Sequence, residues 1–147
     1  MTGKTSHSDA TSHKDRLLAA GLRPTRQRLA ICNWMFDGRD KHFTAEELYR
    51  ELSSAPKSSG QSLSLATIYN TLKGFTEVGL LSTLNVDSGK MYYDTNTSHH
   101  YHLYDMKGRQ LSDIETSAMS ITGLPDIGDD LEIDRIDVII RTRPKAN

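Results

Sequence analysis

The chain has 147 residues, 36% of them hydrophobic and 25% charged, enough for one full core or two small lobes and typical of an ordinary globular protein. A single cysteine, Cys32, excludes an intramolecular disulfide and any multi-cysteine zinc site within one chain. No apolar run approaches the length needed to cross a bilayer, and residues 1–13 are polar with no signal-peptide core, so a cytoplasmic protein with no membrane partner is expected.

The formal net charge of −1 hides an asymmetry. Residues 14–90 hold eleven Lys/Arg against eight Asp/Glu, an excess of +3, while residues 91–147 hold six against ten, or −4. The modest positive excess suits a polyanion partner for the first part and gives the second part no reason to sit on one.

Residues 1–13 are rich in Ser, Thr and His and read as a disordered tail. A short helix from about Lys14 to Ala20 ends at Gly21, a residue suited to a left-handed C-cap. Leu22-Arg23-Pro24-Thr25 reads as a turn, with Thr25 as N-cap of a helix to about Phe36. Leu29, Cys32 and Phe36 share one face of it, and Ala30, Ile31, Trp34 and Met35 widen the apolar surface, so this helix should be central to the core. Gly38 breaks it. Thr44-Ala45-Glu46-Glu47 is a capping box that opens a third helix to about Ser54. Pro56 to Ser62 is a Ser/Gly loop, Ser64 caps a fourth helix to about Val78, and Gly79 stops it.

Leu81–Val86 and Lys90–Asp94 alternate in character and are joined by Asp87-Ser88-Gly89, which predicts a β-hairpin. Helices followed by a hairpin make a winged helix-turn-helix over residues 14–95. Residues 96–147 form a smaller lobe, with strand candidates at Tyr101–Tyr104, Gln110–Ile114 and Ile133–Thr142. Fewer than about sixty residues is a thin basis for an independent core, so this lobe is expected to dimerise. The fold class is therefore α+β: an N-terminal winged helix-turn-helix followed by a small α/β dimerisation lobe.

On the fourth helix, Leu65, Ile68, Leu72 and Phe75 recur at spacings of three and four and point inward. Ala66, Tyr69, Asn70 and Lys73 fall on the other side, and Ser64 and Thr67 open the same helix. A small residue, an aromatic, an amide and a cation suit a major-groove face, because Asn pairs bidentately with adenine and Tyr can touch thymine methyls or a phosphate. A merely solvated polar face would have similar composition. The arginines shift the balance: Arg23, Arg26 and Arg28 cluster with Thr25 at the start of the second helix, where cations oppose the macrodipole. Contact with DNA phosphates or a minor groove would compensate for that placement.

The other concentrated signal is His99-His100-Tyr101-His102. On a strand, His100 and His102 project to one face and His99 and Tyr101 to the other. Two imidazoles at this spacing can bind one first-row cation, and Asp94, at the end of the wing, can supply an oxygen. His42 is the remaining histidine of the expected folded region. A lone histidine is more often a surface or core residue than a ligand, but three in four positions favour ligation. A site built from His42, Asp94, His100 and His102 would join both lobes and could set the angle between the reading heads of a dimer.

These stretches resemble the ferric uptake regulator family, and within it most closely the iron response regulators of alphaproteobacteria. They are Gly21-Leu22-Arg23-Pro24-Thr25-Arg26-Gln27-Arg28, Thr44-Ala45-Glu46-Glu47-Leu48-Tyr49, Ser64 to Leu72, Gly79-Leu80-Leu81, Tyr93-Asp94-Thr95-Asn96 and the histidine cluster, in the family's order over about residues 15 to 115. The resemblance implies a homodimeric regulator of iron-related genes that binds a double-stranded DNA operator. Carried over by motif, His42, Asp94, His100 and His102 match the family's regulatory metal site, for Fe2+ or Mn2+ and for Zn2+ in vitro. Tyr69 matches the base-contacting tyrosine and Arg23 a basic residue near the minor groove.

Two departures stand out. The paired Cys-x-x-Cys motifs of most members are absent, so no Cys-type structural zinc is expected, as in the iron response regulators. Tyr101 stands where the broader family has an acidic residue. This leaves His99, His100, Tyr101 and His102 as candidate haem ligands, since both side-chain types serve that role. The Cys-Pro haem motif of some relatives is absent, because Asn33 follows Cys32. The expected function is a transcription regulator of iron homeostasis gated by haem or by a divalent metal. A peroxide sensor using iron at the same site is the alternative within the family. From another class, a small metal-dependent hydrolase would use His100 and His102 for zinc and Asp94 as base, but it leaves the fourth helix and the arginines unexplained.

Overall fold

A computed structural model describes residues 6–54, 62–87 and 89–147, with side chains from His13 onward. The chain is α+β and divides between Thr97 and Ser98 into two units. In the first, the order is α1 (Ser6–Ala19), α2 (Arg26–Met35), β1 (His42–Phe43), α3 (Ala45–Ser54), α4 (Leu65–Glu77), β2 (Ser82–Asp87) and β3 (Lys90–Asp94).

Local sequence chemistry sets most of these boundaries. The Thr25 hydroxyl accepts from the Arg28 amide at 3.3 Å and the Ser64 hydroxyl from the Thr67 amide at 3.1 Å, each satisfying an orphan donor of a helix start. Thr44 and Glu47 form the full reciprocal box: the Glu47 amide donates to the Thr44 hydroxyl at 3.2 Å, and the Thr44 amide to the Glu47 carboxylate at 3.0 Å. Gly21 and Gly79 both close helices in the left-handed conformation, at φ 78° and 79°. At each, the next residue's amide reaches back to the helix, Leu22 to the Leu17 carbonyl at 2.8 Å and Leu80 to that of Phe75 at 2.9 Å. That is the bonding pattern of a Schellman ending.

The core of this unit gathers Leu17 of α1, Ile31, Cys32 and Met35 of α2, Leu48 of α3, and Ile68, Leu72 and Phe75 of α4, none of them exposed. Each large apolar side chain so buried contributes about 1.5–3 kcal/mol. Phe43 meets the Trp34 ring edge-on at 5.0 Å and stacks on Tyr93 at 5.7 Å, tying β1 to α2 and β3. The sheet order is β1-β3-β2, antiparallel throughout, with a bulge in β2 between Asn85 and Asp87.

The structure corrects three expectations. Helix α1 begins at Ser6, so the supposed tail is helical from there; residues 1–5 lie outside the described residues. Its anchors are polar-looking in sequence: His13 is buried with its ring 6.3 Å from Phe36, and the Arg16 guanidinium sits 3.9 Å over the same ring. Strand β1 was not anticipated, since two residues carry no periodicity. Of the expected Ile133–Thr142 strand only Ile139–Thr142 is regular. The Pro56–Ser62 loop falls, up to residue 61, outside the described residues.

The second unit contains β4 (Tyr101–Asp105), β5 (Gln110–Ile114), a single 3-10 turn (Thr116–Ala118) and β6 (Ile139–Thr142). Its sheet order is β5-β4-β6, with β4 antiparallel to β5 and parallel to β6. Among the described residues this unit has no α-helix. The register explains the short β6: pairing runs from His102↔Ile139 to Asp105↔Thr142, which uses nearly all of β4. The Val138 carbonyl still accepts from the His102 amide at 3.1 Å, but residues 133–137 lie before the paired segment, and Arg135 there bonds Asp137 at 2.7 Å.

Candidate nucleic-acid interface and candidate metal centre

Helix α4 buries Ile68, Leu72 and Phe75 and half-buries Leu65, which leaves Ala66, Tyr69, Asn70 and Lys73 exposed as the 3.6-residue period requires. A groove of about 440 Å³ runs between the start of α2 and α4, lined among others by Arg23, Thr25, Arg28, Thr67, Asn70 and Gly74. Five of the expected contact residues therefore share one concavity. Within it the Arg28 guanidinium donates to the Arg23 carbonyl at 3.0 Å, bracing the turn before α2. Arg26 is exposed on the first turn of α2, and Lys73 reaches to 4.0 Å from Glu77. Ser64 and Thr67 are engaged with each other at 2.8 Å across the first turn of α4.

Tyr69 is the exception to a free outer face. Its hydroxyl donates to the Glu46 carboxylate on α3. That hydrogen bond, with burial and the charge of Glu46, pushes the phenol up to about 12, so it remains a protonated donor at neutral pH. Sequence reading missed Glu46, because its pairing with Tyr69 depends on how α3 packs on α4.

The expected metal ligands divide between the two units, two in each. In the first, the β1–β3 register sets His42 opposite Asp94, with Nε2 3.2 Å from Oδ2. Asp94 is 2% exposed, and its other oxygen accepts from the Asn96 amide at 2.9 Å. The Lys41 amide donates to the Thr95 hydroxyl at 2.9 Å and the Thr95 amide to the Lys41 carbonyl at 3.1 Å, which holds the two strand ends together.

In the second unit, the His100 and His102 rings lie on one face with centroids 4.5 Å apart. Asp113, opposite His102 on β5, places Oδ1 3.2 Å from His100 Nε2 and 3.7 Å from His102 Nε2. One ligand atom from each of these three lies within 4.8 Å of the others. The Ser98 carbonyl is 2.6 Å from His100 Nδ1, so that nitrogen carries the proton in the hydrogen bond. His100 Nε2 faces the Asp113 carboxylate. The nitrogen and oxygen donors fit a first-row divalent ion. His99 and Tyr101 take the opposite face, edge to face at 5.4 Å. Cys32 is buried and free.

The ferric uptake regulator family model matches residues 19–122. The peroxide-responsive repressor PerR of Staphylococcus epidermidis is 35% identical over 114 residues, covering 72% of this chain and 73% of that protein. Among solved structures, a zinc-bound manganese uptake regulator is 25% identical with a TM-score of 0.60, over 88% of this chain and 98% of its own. A ferric uptake regulator from Pseudomonas aeruginosa with manganese has a TM-score of 0.63 at 21% identity, over 91% and 98%, and shows the same fold.

Proposed function

Because the chain belongs to the ferric uptake regulator family, whose members are metal-dependent DNA-binding transcription regulators, we propose that divalent metal binding at His42 and Asp94 of the first unit and at His100 and His102 of the second sets its affinity for an operator. The observation that carries this reading is the pairing of imidazole nitrogen with carboxylate oxygen at 3.2 Å in both units, His42 with Asp94 and His100 with Asp113. Asp113 joins the donors of its unit. Fe2+ and Mn2+ suit such mixed nitrogen and oxygen donors, and Zn2+ can take them in vitro. A bound cation would supply positive charge against these carboxylates and fix the ring orientations.

The DNA-binding surface in this reading is the outer face of α4 with the start of α2. Asn70 and Tyr69 read base edges, with Ala66 allowing close approach. Arg23, Thr25, Arg26, Arg28 and Lys73 meet phosphates, as do Ser64 and Thr67 at the N-terminus of α4. The protein acts as a homodimer on a two-fold operator. The test is binding to a duplex selected from a random pool, with and without Mn2+. Tyr69→Ala weakens specific binding with the dimer intact. His100→Ala with His102→Ala abolishes the metal response while the wing stays folded, and an unchanged response in that variant overturns the assignment.

Two finer readings concern the signal. The similarity to peroxide-responsive repressors favours peroxide sensing through iron at this site. Mass spectrometry of the Fe2+-loaded protein after peroxide should then find an added oxygen on His42, His100 or His102, and none argues against it. The resemblance to iron response regulators favours iron homeostasis with haem as effector at His99, His100, Tyr101 and His102. A saturable Soret band on hemin titration, lost in the double histidine variant, supports haem. No defined band removes it.

A further inference from the structure

Glu46 sits beside the proposed reading face with a negative charge, where a DNA-binding surface gains most from cations. Helix capping does not account for it, since Glu47 already completes the box with Thr44. Its partner is Tyr69, which is 40% exposed on α4. With its hydroxyl turned to Glu46, Tyr69 has no free donor for a phosphate and offers carbon to whatever α4 meets. In the major groove the apolar group on a base edge is the thymine methyl.

We propose that Glu46 is a specificity-determining positioning residue. By accepting the Tyr69 hydroxyl it fixes the ring for a thymine methyl, and as a fixed anion it weakens docking on DNA of arbitrary sequence. The first effect needs only an acceptor, and the second needs the charge. Specificity here is a difference between two affinities, and Glu46 lowers the unwanted one. This inference rests on the reading that α4 lies in the major groove.

The two effects separate by substitution. A duplex selected from a random pool by the wild-type protein is compared with a scrambled duplex, and with versions carrying deoxyuridine in place of each thymine in turn. In the wild type, one thymine per half-site loses about fourfold in affinity when its methyl is removed, the worth of one buried methyl group. Glu46→Gln keeps that discrimination because its amide oxygen still accepts, while affinity for the scrambled duplex rises about threefold as one negative charge is removed near phosphates. Glu46→Ala and Tyr69→Phe both lose the methyl discrimination, because either breaks the hydrogen bond.

Full discrimination in Glu46→Ala, or unchanged scrambled-duplex affinity in Glu46→Gln, overturns the proposal. If the wild type selects duplexes but no thymine methyl matters, the positioning claim fails and the groove reading survives. If it selects no duplex at all, the groove reading fails and this inference falls with it.

Discussion

His42 and Asp94 stand directly across from each other on β1 and β3, Nε2 to Oδ2 at 3.2 Å, although 51 positions separate them in the chain. Strand register alone brings them together, and the buried carboxylate is held from its other side by the Asn96 amide. Asp94→Asn preserves size and removes the charge. We expect Mn2+ affinity, measured by competition with a chromogenic chelator, to fall by about 100-fold with the far-UV spectrum unchanged. Wild-type affinity in this variant would take Asp94 out of the ligand set.

Cys32 lies in the same buried core as residues of α1, α3 and α4, and burial pushes its thiol up to about 11 despite the opposing field of Arg16. At neutral pH it is a protonated, shielded thiol and a poor nucleophile. In the native protein it should resist Ellman's reagent for as long as the fold persists and react at once in guanidinium. Peroxide should likewise leave it unoxidised. Fast native labelling would show that the core around α2 opens far more readily than its packing implies.

The Thr44–Glu47 box holds the start of α3 immediately after β1. Thr44→Ala removes the acceptor for the Glu47 amide and should cost about 1 kcal/mol. Glu47→Ala should cost less, and the double variant less than the sum of the two, because each bond is made by the same pair. Urea titration of the four proteins measures the coupling. Strict additivity would mean that the two bonds do not act as a unit.

Asp37 accepts from the Arg39 guanidinium at 2.8 Å and lies 3.0 Å from Lys41 Nζ, and these partners hold its carboxyl well below the usual carboxylate range. A depressed folded-state value means stability present above the unfolded value of about 3.9 and lost as pH falls toward the folded one. The pair is water-exposed, so Asp37→Asn should lower Tm at pH 7 by less than about 3 °C. The gap should narrow in high salt and below about pH 4. A gap that widens on acidification would reverse the sign of this linkage.

The features legible in the sequence are those whose partners lie within a few residues. Thr25, Ser64 and the Thr44–Glu47 pair announce helix starts because a cap bonds three residues ahead, and Gly21 and Gly79 announce ends because only glycine takes that turn cheaply. His100 and His102 were legible as a pair because strand alternation is a rule of two. Asp113 was not: it joins them only through the antiparallel register His102↔Asp113, fixed by packing and invisible to local patterning. Glu46 and Tyr69 are 23 positions apart and meet only once α3 is laid on α4. The early start of α1 was hidden for a different reason, since His13 and Arg16 are polar residues anchored on an aromatic ring, Phe36.

Strand β4 is the middle strand of its sheet, and the His102 amide is held by the Val138 carbonyl, beside β6. The neighbour β5 follows within a few residues, but β6 arrives only at positions 139–142. During synthesis, then, the β4–β5 hairpin can form early, while the other edge of β4 stays open until residues 139–142 have left the ribosome. An open edge is a template for foreign strands. The nascent protein thus passes through an interval in which the strand carrying His102 can be captured by another chain, and the arrival of Ile139–Thr142 ends that exposure.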